Sequence, residues 1–391
     1  MLHTYIYIYI YMLRVTTHFT IKTPETEKEE KNQRMMSSPS NSITQLFKNK
    51  PVKHDHIIPL DFTSVKTLPD SHVWSAPSPL PEPEALSIPV LDMNHAVRPS
   101  LLRQACEEWG VFQVINHGVS EKLLLNVEYQ TRRLFSLPMQ RKILAVRSPD
   151  ESTGYGLARI SMFYDKFMWS EGFSVMGSSS VRHAKLLWPN DHKIFSDVME
   201  EYQKAMETLG RRLICMLMDS LGLAQEDVGW TVPDRTGSRP EIQPFLQLNS
   251  YPVCPEPDLA MGLAPHTDSS LFTILHQANI PGLQIQRSER GGAWSTVDPI
   301  PGGLVVIMGD VFHMLSNGRF NNVMHRVVVN STRHRVSAAY FYGPPRSVTV
   351  GPSSKLIDED RPRMYRDVSW GEYLETKATY FDKALALFRL C

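Results

Sequence analysis

Two histidines, an aspartate and an arginine in the second half of this chain have the residue types and spacing for metal chemistry. In "MGLAPHTDSS" (Met261–Ser270), His266 and Asp268 stand two positions apart. A chain with 14 histidines and 41 acidic residues in 391 positions yields about 1.5 His-x-acid matches by chance, and this is the one present. Alone, the pair reads at least as well as a polar turn. On a strand, however, side chains two apart share a face. His325 opens "HRVVVN" with the parity of Val327 and Val329, so it should face the same interior. Two histidines and one carboxylate are the ligand set of the facial triad, which holds iron(II) and leaves positions open for other ligands.

The same alternation recurs nearby. "RHRVSAAYF" puts Arg335 and Ser337 on one face, where a guanidinium fork and a hydroxyl suit a carboxylate. "LNSYP" does so for Asn249 and Tyr251. Singly, His325 reads as a satisfied core histidine and Arg335 as a surface strand residue. The ordered conjunction favours a metal beside a dicarboxylate. Other histidines lack that context. "HDH" (His54–His56) reads as a solvated loop, His117 as a turn and His313 as structural, while His334 should point away from Arg335.

The elements that must position these groups follow from periodicity. From about Gln243, short β-branched runs ("PFLQLNSYP", "SSLFTILHQ", "GLQIQ", "WSTVDP", "GLVVIMGD", "HRVVVN", "RVSAAYFYG") alternate with turn clusters, the pattern of a jelly roll. Before them, Leu101, Leu102 and Ala105 mark a helix that stops near Gly110, ahead of the strand "VFQVI". Phe195, Val198, Tyr202, Met206, Leu209, Leu213 and Met216 recur at helical spacing, and "WGEYLETKATYFDKALALF" reads as one amphipathic C-terminal helix. The fold class is α+β with a mainly β core, a double-stranded β-helix between an N-terminal helical region and a C-terminal helix. The segments are an extension (1–50), an N-terminal helical region (51–235), the jelly-roll core (240–346) and a C-terminal helical segment (347–391).

Composition narrows the function classes. Basic and acidic residues balance at 41 each, so no basic field invites nucleic acid. The four cysteines (Cys106, Cys215, Cys254 and Cys391) show no CxxC spacing, against a disulfide framework or a thiolate zinc site and in keeping with a reducing, cytoplasmic location. The Tyr/Ile alternation of "TYIYIYIYIYM" is too short to span a membrane and lacks a secretory signal's flanks. A TA repeat read as TAT-ATA codons would encode it, so residues 1–34 read as a gene-model artefact with the start at Met35 or Met36. "TPETEKEEKNQR" and "SSPSNS" read as disordered.

From about Ile88 onward the chain resembles the plant iron(II)/2-oxoglutarate-dependent dioxygenases. The resemblance lies in "WGVFQVINHGV", "LNSYPVCPEPDLAMGLAPHTDSS", "GLQIQ", "GDVFHMLSNGRFNNVMHRVVVN" and "RVSAAYFYGPP". "GYGLARISMFYDKFMWSEGFSVMG", "DFTSVKTLPDSHVW" and "YLETKATYFDKAL" are similar to the gibberellin 3-oxidase branch. The resemblance implies iron(II) on His266, Asp268 and His325. It implies 2-oxoglutarate on Arg335 and Ser337 with help from Tyr251 and Asn249, and ascorbate as reductant. It also implies 3β-hydroxylation of a C19 gibberellin using O2. For an apolar fused-ring acid, Tyr155, Phe163, Trp169, Phe173 and Phe341 are candidate walls and Arg159 a candidate for the carboxylate, against ordinary packing for each aromatic. The expected protein is a monomer without nucleic-acid or membrane partners. Rival readings are a relative acting on another gibberellin position or a flavonoid, and a jelly-roll module that binds a ligand without turnover; the Arg-x-Ser pair also occurs in a relative that uses ascorbate in place of 2-oxoglutarate.

Overall fold

The alternating runs fold as strands in two facing sheets in this computed structural model, which describes residues 57–74, 87–228, 245–286 and 292–390. In chain order the strands are β1 (Val90–Asp92), β2 (Val111–Ile115), β3 (Gly154–Gly156), β4 (Glu171–Met176), β5 (Phe245–Tyr251), β6 (Leu263–His266) and β7 (Phe272–His276). They continue with β8 (Leu283–Gln286), β9 (Trp294–Thr296), β10 (Leu304–Met308), β11 (Met324–Val327), β12 (Arg335–Tyr342), β13 (Thr349–Val350) and β14 (Val368–Ser369). The helices are α1 (Pro99–Glu108), α2 (Glu121–Phe135), α3 (Met139–Lys142), α4 (Ser179–Leu187), α5 (His192–Ser220), α6 (Asp310–Leu315) and α7 (Trp370–Tyr380). The major sheet runs β1-β2-β10-β7-β12-β5-β4-β3 and the minor sheet β6-β11-β8-β9, the layout of a double-stranded β-helix.

Strand β12 shows how alternation sorts side chains. Ala339 and Phe341 join Leu275, Leu283, Ile285, Val305 and Ile307 between the sheets, while Ala338, Tyr340 and Tyr342 pack in the core under the helices. Helix α5 supplies that second core through Phe195, Met199, Tyr202, Met206 and Leu213, all buried. A Cβ at Gly210 would fall 2.3 Å from a Tyr342 ring carbon, so α5 gives up alanine's propensity for close approach to β12.

Two expectations change. The first half is more than helical, because β1–β4 hydrogen-bond into the same sheet as β5, β7, β10 and β12. The described residues from 57 to 390 accordingly belong to one compact unit. The C-terminal helix is also shorter than its pattern. It ends at Tyr380, Phe381 takes φ 49°, and two short 3-10 turns follow (Phe381–Lys383 and Leu385–Phe388). Packing overrides propensity there, since the Phe381 ring stacks on Phe163. The readings made on residues 1–50 and on His54–His56 lie outside the described residues.

Candidate active site

Strands β6 and β11 run antiparallel, with His266 and His325 directly opposed. Both rings therefore point the same way, their centroids 4.2 Å apart. Each Nδ1 donates to the carbonyl two residues earlier, His266 to Ala264 (2.8 Å) and His325 to Val323 (3.1 Å). Those bonds fix the tautomer that leaves Nε2 with its lone pair, the form a metal needs. Asp268 follows the end of β6, and its Oδ2 accepts from the Thr273 hydroxyl at 2.6 Å. The other oxygen, Oδ1, lies 3.7 Å from His266 Nε2 and 3.8 Å from His325 Nε2. One ligand atom from each residue thus falls within 4.8 Å of the others, and the donor set is that of an iron(II) triad. Burial, then the neighbouring His325, pushes His266 well below the ordinary histidine value, which favours the neutral imidazole a ligand must be.

Beside the triad lies a cationic end. Arg335 pairs across the ladder with Tyr251, and Ser337 with Asn249. The Arg335 side chain is buried, donating from Nε to the Ile280 carbonyl and from Nη2 to Gln277 Oε1, both at 3.1 Å. Its Nη1 is buried with no hydrogen-bond partner. An orphaned guanidinium nitrogen in a buried site is costly unless an anion meets it. Burial draws the guanidinium below its ordinary value, and Tyr251 beside it opposes that shift. Asn249 Nδ2 reaches Ser337 Oγ at 3.5 Å. The four residues grouped by parity therefore meet around one anion-seeking nitrogen, and a small dicarboxylate fits them.

The proposed walls divide. Phe341 pairs with Thr273, whose hydroxyl holds Asp268, so it stands beside the triad. Trp169 packs with Tyr251, Val327 and Val329. Phe163 stacks on Phe381 (4.7 Å, 13°), and Tyr164 next to it donates to the carbonyl of Pro265, the residue before His266, at 2.5 Å. Tyr155 and Phe173, by contrast, belong to the core under the helices. They pair across β3 and β4, and Phe173 registers with Leu248 rather than with an inward residue of β5. The Tyr155 hydroxyl donates to Glu171 Oε2 (2.6 Å), and Phe173 meets His183 and Phe195 edge-on. The Arg159 Nη2 donates to the carbonyl of Glu151, and burial with Arg147 nearby draws it down to about 8.

The histidines set aside behave as expected. His117 accepts from the Val119 amide and donates to the Gly302 carbonyl, while His313 spans Phe320 and Tyr365. His334 meets Ser250 on the reverse face of β5. Sequence reasoning missed Thr273, Gln277, Tyr164, Lys377 and Phe381. A hydroxyl within the apolar run of β7 was a signal for Thr273. Nothing local marks Lys377, which reaches Thr267 across 110 positions.

Comparison with known proteins agrees with this geometry. Residues 242–344 match the 2OG-Fe(II) oxygenase superfamily and residues 88–193 the non-haem dioxygenase in morphine synthesis N-terminal family. Gibberellin 3-beta-dioxygenase 3 of Arabidopsis thaliana is 66% identical over 89% of this chain and 99% of its own length. Gibberellin 3-beta-dioxygenase 1 of Pisum sativum is 45% identical over 90% of this chain and 94% of its own. Among solved structures, JOX2 in complex with 2OG, Fe and JA superposes with a TM-score of 0.71 at 29% identity, covering 85% of this chain and 96% of that one. The rice dioxygenase for auxin oxidation gives 0.64 at 26% identity, over 78% of this chain and 100% of its own. A buried His-Asp-His face on a jelly roll and near-full-length relatives lead to one assignment: this chain belongs to the gibberellin 3-beta-dioxygenases, within the iron(II)/2-oxoglutarate oxygenases.

Proposed function

We propose that this chain hydroxylates the 3β position of a C19 gibberellin, with 2-oxoglutarate and O2 as co-substrates. The near-full-length likeness to gibberellin 3-beta-dioxygenases carries the substrate reading. His266, Asp268 and His325 hold iron(II) through Nε2, Oδ1 and Nε2, an assignment supported by the Nδ1 and Oδ2 bonds that turn those atoms toward one point. Iron(II) bound there supplies the chemistry that couples decarboxylation of 2-oxoglutarate to succinate with hydroxylation of a C–H bond. Arg335 binds the far carboxylate through Nη1, Ser337 and Tyr251 add hydroxyls, and Asn249 steadies Ser337.

Phe341, Phe163 and Trp169 are the apolar walls that orient the fused rings and exclude water. Arg159, on the turn leading to Phe163, is the candidate for the substrate carboxylate. Ascorbate serves as reductant. The chain acts as a cytoplasmic monomer without nucleic-acid or membrane partners. Its balanced charge offers no basic field for nucleic acid. No helix among the described residues is long and apolar enough to cross a membrane. The boundaries 51–235, 240–346 and 347–391 remain the proposed segments of the chain.

The test is the product. Purified chain with iron(II), ascorbate, 2-oxoglutarate and a C19 gibberellin should yield succinate and the 3β-hydroxylated hormone, identified by mass spectrometry. A product altered at C2 or C20, or turnover of a flavonoid alone, would replace the substrate reading. Gibberellin binding without succinate would favour the non-catalytic module.

A further inference from the structure

Helix α7 meets the ligand-bearing loop at several points along its length. Trp370 Nε1 donates to the Ser269 carbonyl at 3.0 Å. The Tyr373 hydroxyl and the Lys377 ammonium each donate to Asp310 Oδ2 at 2.6 Å. These three residues are spaced three and four apart, so they share one helix face. Asp310 is fully buried and also accepts from Asn322 Nδ2 at 2.6 Å. Its amide donates to the Asp268 carbonyl at 2.8 Å.

Lys377 makes a second bond, donating to Thr267 Oγ1 at 2.7 Å, and that hydroxyl passes a bond to Asp310 at 3.2 Å. Thr267 is the single residue between His266 and Asp268. A side chain that grips it sets how far the backbone turns between the two ligands. Farther along, Phe381 leaves the helix in a left-handed backbone and stacks on Phe163, beside Tyr164 and its bond to Pro265. The loop is thus held by α7 at Thr267 and Ser269, by the Asp310 amide at Asp268 and by Tyr164 at Pro265.

We propose that Lys377 is a positioning residue: through Thr267 and Asp310 it sets the ligand loop so that Asp268 Oδ1 faces both imidazoles, and it ties the C-terminal helix to that loop. The inference rests on the metal reading of the triad. Removing the ammonium alone would strand a buried carboxylate and could unfold the chain. Two other variants avoid this. Lys377→Met/Asp310→Asn removes both charges at similar volume, and Thr267→Val keeps the ion pair but cuts its link to the ligand loop.

Cobalt(II), titrated into the metal-free full chain and followed by its visible absorption, reads the site without turnover. Circular dichroism at the same temperature confirms that each variant is folded. Both variants should bind cobalt(II) about ten-fold or more weakly, as loss of an outer partner does at other metal sites, with an altered absorption envelope. Wild-type affinity in either folded variant overturns the proposal. His266→Ala separates the two readings. It should abolish binding, and if it binds like wild type, the triad assignment falls and takes the Lys377 inference with it.

Discussion

At the scale of single residues, the sharpest consequence concerns the unpaired nitrogen of Arg335. Arg335→Ala should raise the Michaelis constant for 2-oxoglutarate roughly 10- to 100-fold, the worth of a charged hydrogen bond, with a smaller change in kcat. Steady-state kinetics with 2-oxoglutarate varied would check it, and an unchanged constant would remove Arg335 from the cradle. Tyr155→Phe should behave in the opposite way. It deletes a bond to Glu171 in the helix-side core, costing about 1 kcal/mol of stability, and should leave the Michaelis constant for gibberellin as it was. A large rise in that constant would return Tyr155 to the substrate wall. The triad and its arginine were legible because two-residue alternation is local and their chemistry narrow. The walls were less so: whether Phe173 or Phe341 faces the cavity depends on partner strands far away in sequence.

At the scale of elements, α5 was readable almost to its ends, since its apolar stripe from Phe195 to Met216 follows the helical repeat for about six turns. Gly210 in its middle carried no visible reason until Tyr342 was seen against it. Gly210→Ala should therefore destabilise the protein by roughly 1–3 kcal/mol through overpacking, despite alanine's better propensity. Chemical denaturation would measure it, and a gain in stability would show that Tyr342 yields. Strands β3 and β4 escaped the sequence reading because three residues of "GYG" carry no periodicity and "EGFSVM" is buried on both faces. The break at Phe381 escaped it for another reason. Its cause is a ring stack with Phe163, and a hydrophobic pattern cannot distinguish that from one more helical turn.

At the scale of the whole molecule, burial holds His72, His183, His276 and His334 each at about 4, well under the ordinary histidine value. The unfolded chain then binds more protons than the native one between pH 6.5 and 4. Stability is fully present above that window and is lost as pH falls through it. Melting temperature should drop steadily from pH 7 to pH 4.5, and a flat profile would mean that these rings are protonated in the fold. Along another axis, the His266–His325 pairing makes the distance between two ligands a dimension of the sheet itself. A ferrous ion held there would meet two imidazoles that the strand register already opposes. Stripping iron should silence the enzyme without altering its circular dichroism, and fresh iron should revive it within the time of ion exchange.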